Sequence, residues 1–341
     1  MHFIVALTKR RQVMDYQEFL DYVKENILDY LKQSRITADT SNEVIFDEKE
    51  YEVLSQKIMK NNGITLDAIT IYQEGQYVSP NIYLNAYYDQ YKMGKPLDCI
   101  MNQLIQEYED KMEEAGTLQV DNVYDLDKVR DKIVFRLVNY ERNRKELLLC
   151  PHKRFLNFAV TFRYLASKDA MGIASSIISH KEFAAWNIEL DELYDIAKSN
   201  TMRLFPWKIE SLAKMITSCM CGDLSNALSE DAYEDMMNMV EQDCGIQMFV
   251  LSNDVGINGA TCVLYDQVLY EFSMAHECNL YVLPSSVHEV ILIPAEEDTD
   301  PQFLLELVSN ANKSSVGLID LLSDEIYYYD RNINEIQIYE D

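Results

Sequence analysis

The stretch from Asn279 to Pro294 constrains this chain most. Two apolar runs, Leu280-Tyr281-Val282-Leu283 and Val290-Ile291-Leu292-Ile293, flank Pro284-Ser285-Ser286. Both are rich in β-branched and aromatic residues and too short for helices, so they read as two adjacent buried strands. A His288-Glu289 pair opens the second run. This is the central hairpin of a C-terminal core.

Strands elsewhere also come in hairpins, with helices between them. Asp15 and Glu18 form a capping box ahead of Phe19, Leu20, Val23, Ile27 and Leu31, which recur at helical spacing. Residues 51–60 and 64–73 alternate around Asn61-Asn62-Gly63, the signature of an antiparallel hairpin. Ser79-Pro80 predicts a tyrosine-rich helix over 81–93, stopped at Gly94. A second helix from Pro96 carries Ile100, Leu104, Tyr108 and Met112 on one face. Residues 117–132 are polar and helical only from Asp125, and Ile133–Val138 is strand-like. A short basic helix is expected over 140–149. Further on, 155–165 and 173–186 predict one hairpin, 190–197 a helix ending at Ser199-Asn200, and Pro206 a helix holding Ile209, Leu212, Met215 and Ile216. The pattern continues with strands over 246–252 and 260–265, helices over 266–277 and about 301–312, and a final hairpin around Asp330-Arg331-Asn332. This is an α+β order of antiparallel hairpins, not a repeated βαβ unit. The domain reading is a dispensable leader at 1–13, a helix–hairpin–helix region at 14–116, a central α+β region at 117–221, an acidic linker at 222–245 and a C-terminal α+β region at 246–341.

Charge narrows the partners. Asp and Glu number 57 against 30 Lys and Arg, a net charge of −27. Nucleic acid and anionic membrane both need a cationic footprint, so neither is expected; a basic protein partner is. The seven cysteines show no disulfide framework and fit a reducing cytoplasm. The apolar start His2–Leu7 precedes its basic cluster, the reverse of a signal peptide. No stretch approaches the roughly 20 apolar residues of a membrane span.

Five blocks carry a resemblance: Lys60–Gly63, Val78–Leu84, Arg136–Asn143, Gly259–Tyr265 and Leu283–Val290. Together they resemble a family of uncharacterised bacterial proteins, a domain of unknown function common in anaerobic clostridial bacteria, over nearly all of Tyr16 to Asp330. The resemblance implies a cytoplasmic bacterial module and no particular activity, substrate or cofactor.

The candidate sites are few. Ser285, Ser286 and His288 could be a nucleophile and base, with Glu289 as orienting acid. Within a strand His288 and Glu289 would point to opposite faces, and the serines lack a glycine-flanked elbow, so a turn with bonded hydroxyls is the simpler reading. Arg142, Arg144, His152 and Arg154 lie in the one conspicuously basic stretch, with Arg136, Lys145 and Lys153 beside them; they could bind a phosphate or carboxylate, or neutralise the chain's own acids. Cys150-Pro151-His152 is a weak Cys–His pair. His180, Cys262, His276 and Cys278 are not at spacings that demand a metal, nor is Cys219-Met220-Cys221. Neither a metal site nor a cofactor is expected: there is no calcium loop and no glycine-rich phosphate loop. The 23 tyrosines are the last anomaly. Tyr83, Tyr87, Tyr88 and Tyr91, with Tyr327, Tyr328 and Tyr329, would form an acidic, aromatic binding face or ring the edge of the core. These features favour a non-catalytic protein-interaction module over the alternative, a hydrolase or metal-assisted enzyme near His288.

Overall fold

The computed structural model describes residues 13–38, 46–76, 79–116, 122–169, 172–221, 239, 246–284, 286–297 and 299–340. The expected leader at 1–13, except Val13, and nearly all of the expected linker at 222–245 lie outside the described residues, as does Ser285. The chain divides into two units, Met1–Lys60 with Thr65–Val120, and Asn61–Ile64 with Asp121–Asp341.

In the first unit, β1 (Tyr51–Met59), β2 (Thr65–Gln73) and β3 (Asn81–Tyr83) form an antiparallel sheet in the order β1-β2-β3. Helices α1 (Tyr16–Ala38), α2 (Asn85–Lys92) and α3 (Leu97–Gly116) accompany it. The predicted capping box starts α1: Glu18 N–H donates to Asp15 Oδ1 at 2.9 Å, and Asp15 N–H to Glu18 Oε2 at 2.8 Å. The α1 stripe (Phe19, Val23, Ile27, Leu31) and the α3 stripe (Ile100, Leu104, Tyr108) bury their side chains with Ile69, Ile71 and Ile82 of the sheet. Burial of such a side chain is worth about 1.5–3 kcal/mol, so this interlocked set carries the unit.

The helix expected over 81–93 is shorter than its signal. Asn81–Tyr83 instead pairs with Thr70–Ala68, placing Ile82 opposite Ile69 in the core. Asn81 Oδ1 accepts from Thr70 Oγ1 at 2.6 Å and from Gln56 Nε2 at 2.9 Å. These non-local partners outweigh the local Ser-Pro start signal.

The second unit holds the remaining elements in chain order: α4 (Leu126–Val129), β4 (Ile133–Asn139), α5 (Arg144–Leu147), β5 (His152–Phe155), β6 (Phe158–Asp169), β7 (Gly172–Ile177), α6 (His180–Trp186), α7 (Leu190–Leu204), β8 (Trp207–Ser211), α8 (Leu212–Cys221), β9 (Phe249–Asn253), α9 (Val268–Ala275), β10 (Leu280–Leu283), β11 (Val290–Pro294), α10 (Pro301–Ser314), β12 (Tyr327–Asp330) and β13 (Glu335–Ile338). One antiparallel sheet has β6 at its centre, paired to β4 on one side and to β5 and then β7 along its length. The other runs β13-β12-β10-β11-β9-β8. One core joins Phe135, Leu137, Val160 and Phe162 of the first sheet to Leu251, Val282, Leu292 and Tyr327 of the second, with Leu193 and Ala197 of α7. The central 117–221 and C-terminal 246–341 regions thus share a core. On the other face of the six-stranded sheet, Tyr281, Leu283 and Ile293 pack with Leu304 and Val308 of α10.

Four further expectations change. Residues 180–186 are helical, because Ser179 and Glu182 form a capping box that ends the strand reading. The segment after Pro206 is first a strand, whose register Trp207↔Asn253 to Ser211↔Phe249 makes it the sheet's edge, and the helix starts only at Leu212. Residues 259–264 form 3-10 turns, not a strand. A Cβ on Gly259 would stand 2.5 Å from the His288 carbonyl oxygen and 2.7 Å from the Asn253 nitrogen, so the backbone at the start of these turns is pressed against its neighbours. Finally, His288 and Glu289 precede β11 instead of lying on it. No helix of the described residues is long and apolar enough to cross a membrane.

Candidate binding site

The connection from β10 to β11 is held by its own polar groups. Ser286 forms an isolated bridge with Leu321 and is buried, and its Oγ accepts from the His288 backbone N–H at 2.9 Å. The His288 carbonyl accepts from Ser252 Oγ at 2.8 Å. The imidazole itself lies 3.3 Å from two partners, Asn258 N–H at Nδ1 and Asp320 Oδ1 at Nε2. A backbone N–H can only donate, so Nδ1 accepts and the neutral ring carries its proton on Nε2, toward Asp320. The side chain of His288 is 33% exposed, so it is not sealed in the core. Among the described residues no hydrogen bond joins the Ser286 hydroxyl to this ring. The carboxylate that meets the ring is Asp320, not Glu289, and nothing in the spacing pointed to a residue so far along the chain.

The basic stretch is distributed among separate partners. Arg142 pairs with Asp324 at 2.7 Å and Arg144 with Glu141 at 2.7 Å, both near the surface. Arg154 donates to the Leu156 carbonyl at 3.0 Å and lies 4.1 Å over the Tyr140 ring. His152 Nδ1 is 3.1 Å from the Cys150 carbonyl oxygen, and its ring flanks the same Tyr140. Lys153 reaches Asp191 at 2.7 Å. Burial pushes the Cys150 thiol up to about 11 and the Cys262 thiol up to about 12, which keeps both protonated and unreactive at neutral pH. His276 packs against Phe249 and Phe272. Among the described residues no group of three His, Cys, Asp or Glu is placed to hold a metal ion.

The tyrosines divide in two. Tyr88 and Tyr91 pack on Phe19 at the edge of the first unit's core, and Tyr87 donates to Glu107 at 2.5 Å. Strand alternation buries Tyr327 and Tyr329 and turns Tyr328 to the opposite face. There Tyr328 stands directly across from Tyr281 on the neighbouring strand, with ring centroids 5.4 Å apart at 65°. Tyr339 adds a second edge-to-face contact to Tyr281, 5.7 Å at 70°. Asn279 Nδ2 donates to the Tyr328 hydroxyl at 2.8 Å, and Tyr339 N–H to the Ile326 carbonyl at 3.0 Å, so the trio is fixed from both ends. Burial raises the pKa of Tyr281, with Tyr339 and Tyr328 adding to it, which keeps its phenol neutral and able to donate.

These rings line an open cleft of about 590 Å³ with Leu156, Gln337, Ile338 and Glu340. Four consecutive residues of the wall, Gln337 to Glu340, belong to or follow β13, which is an edge strand. Elsewhere the chain's own cations sit over tyrosine faces, as Arg154 does on Tyr140 and Lys153 on Tyr194. Among the described residues none sits over Tyr281, Tyr328 or Tyr339. The cleft is only half legible in the sequence. The sequence marks Tyr328, but Tyr281 and Tyr339 join it through strand pairing that no local pattern reveals.

The fold is α+β, built of antiparallel sheets with helices between their hairpins. The chain belongs to a family of unknown function, DUF5688, whose profile matches residues 16–331. The matched span begins at the first residue of α1 and includes Tyr281 and Tyr328, while Gln337 to Glu340 follow it. No curated protein and no solved structure matches the chain.

Proposed function

We propose that this protein is a non-catalytic binding module that takes an extended, cationic segment of a protein partner in the Tyr281–Tyr328–Tyr339 cleft. The observation that carries the reading is the trio itself: Tyr281 packs edge to face with both Tyr328 and Tyr339, beside the edge strand β13. A tyrosine face attracts an ammonium or guanidinium by about 0.5–2 kcal/mol. Glu340 places a carboxylate on the same wall, and the net charge of −27 draws a basic partner toward the surface. An edge strand can add a further strand through main-chain hydrogen bonds, which suits an extended segment. The exposed Cys99 and Cys219 are free thiols, and a reducing cytoplasm is the setting we assign.

A hydrolase at His288 has less support, because Nδ1 already accepts a backbone N–H and Nε2 already faces Asp320. The test is titration with a short arginine-rich peptide, comparing wild type with Tyr328→Ala/Tyr339→Ala. Loss of two cation–π contacts predicts about tenfold weaker binding or more at unchanged net charge. Equal affinity in the two proteins would mean that the peptide reads only the overall charge, and would end the cleft assignment.

A further inference from the structure

The tyrosine cleft calls for an extended segment that joins β-forming residues to cations, and this chain carries one. Phe3-Ile4-Val5-Ala6-Leu7 is rich in strand formers. Lys9-Arg10-Arg11 follows it and is the only run of three consecutive Lys or Arg residues in the sequence. The first fourteen residues hold no Asp or Glu, in a chain of net charge −27. Met14 is tied to α2: its N–H donates to the Tyr91 hydroxyl at 3.2 Å, and its carbonyl accepts from the Tyr88 hydroxyl at 3.3 Å. Val13 before it is 54% exposed. Residues 1–12 therefore start from the surface of the first unit, and fully extended they reach about 40 Å.

The receiving side is built for such a segment. β13 ends the six-stranded sheet, so its far side offers backbone N–H and C=O groups to a further strand. Gln337 stands opposite Tyr328, so alternation puts Glu335, Gln337 and Tyr339 on the face of the rings and Ile336 and Ile338 on the other. Glu335 and Glu340 are exposed carboxylates at the two ends of this stretch. A strand laid beside β13 also alternates, which places Lys9 and Arg11 on one face together with Phe3, Val5 and Leu7. Two cations thus reach the face that holds the rings and Glu335, and the apolar run lies along the strand edge.

We infer that the cleft of one copy takes residues 3–11 of a second copy of this chain as an added strand beside β13. This rests on the reading of the cleft as a site for a cationic segment, and it names whose segment that is. Each copy gives a segment and offers a cleft, so the contact is heterologous and association grows with concentration. The segment opposes the repulsion between two acidic chains at the point of contact.

The experiment is sedimentation equilibrium of the full chain in about 0.15 M salt, where charges more than about 8 Å apart are screened from one another. The wild-type mass is expected to rise above the monomer with concentration. Lys9→Ala/Arg10→Ala/Arg11→Ala keeps the cleft and removes the cations, and Tyr328→Ala/Tyr339→Ala does the reverse. Each alone is expected to associate at least about tenfold more weakly, and the two mixed to form a one-to-one complex. A synthetic peptide of residues 2–12, bound to the Lys9/Arg10/Arg11 variant, provides the second measurement should the tyrosine variant fail to fold. A wild type that stays monomeric, or two folded variants that do not complement each other, overturns the inference. So does a monomeric wild type that binds the short arginine-rich peptide more weakly than the Lys9/Arg10/Arg11 variant does, because the segment then lies in its own chain's cleft. If the arginine-rich peptide binds that variant while the wild type stays monomeric, the cleft reading stands and only the second copy is excluded. No binding of that peptide ends the cleft reading itself.

Discussion

Asn258 donates its backbone N–H to Nδ1 of His288 at 3.3 Å, and this bond settles which ring nitrogen carries the proton. Asn258 sits in a left-handed conformation, φ 55°, at the start of the 3-10 turns, so the turn that aims its N–H is part of the fold. With Nδ1 engaged and Nε2–H facing Asp320, the imidazole is tied into the chain on both sides. A serine nucleophile would need one of those nitrogens.

That arrangement predicts the Nε2–H tautomer of His288 wherever the ring is neutral. Two-dimensional ¹⁵N–¹H spectra of the imidazole distinguish the tautomers directly. Finding the proton on Nδ1 would contradict the geometry.

Ser286 acts on the backbone. Its hydroxyl accepts the His288 N–H inside a buried turn, so Ser286→Ala leaves that donor unpaired. A loss of about 1–3 kcal/mol in urea unfolding is expected. A neutral result would show that the turn satisfies this N–H in another way.

Gly259 is required for space. The Cβ of Gly259→Ala would stand 2.1 Å from Ser252 Oγ as well as against the two backbone atoms of Asn253 and His288. The side chain can turn away; the backbone atoms cannot. A destabilisation of about 3 kcal/mol follows, at the upper end for overpacking, and denaturant melts measure it. Wild-type stability in this variant would mean that the 3-10 turns move freely.

Much of this fold is legible in the sequence where the deciding residues are neighbours. Asp15 and Glu18 cap α1 as their spacing says, and Asn62-Gly63 supplies the two positive φ angles, 61° and 68°, that turn the chain between β1 and β2. Legibility fails where the partner is remote. Ile209 reads as the inner face of a helix because Pro206 signals a helix start, yet it is a strand residue opposite Leu251. The Gly259–Leu264 run is apolar enough for a strand, but Ala260 N–H is taken by the Val287 carbonyl at 3.2 Å. The cleft shows the same limit. Tyr328 stands out by composition, whereas its contacts to Tyr281 and Tyr339 exist only once β10, β12 and β13 have paired.

The raised pKa of Cys150 gives a pH dependence with a definite sign. Its folded value, about 11, lies above the ordinary 9.0 because burial penalises the thiolate. The contribution to stability is therefore whole below pH 9 and is lost as pH rises from 9 toward 11. The stability gap between wild type and Cys150→Ala should narrow across that interval in denaturant titrations. A gap that stays constant or widens would contradict the burial of this thiol.

The most direct test of the central claim is hydrogen exchange of the full chain with and without a short arginine-rich peptide. Binding in the cleft predicts slowed exchange concentrated in Glu335 to Glu340 and around Tyr281 and Tyr328. Slowing spread evenly over the acidic surface, or none along β13, would contradict it.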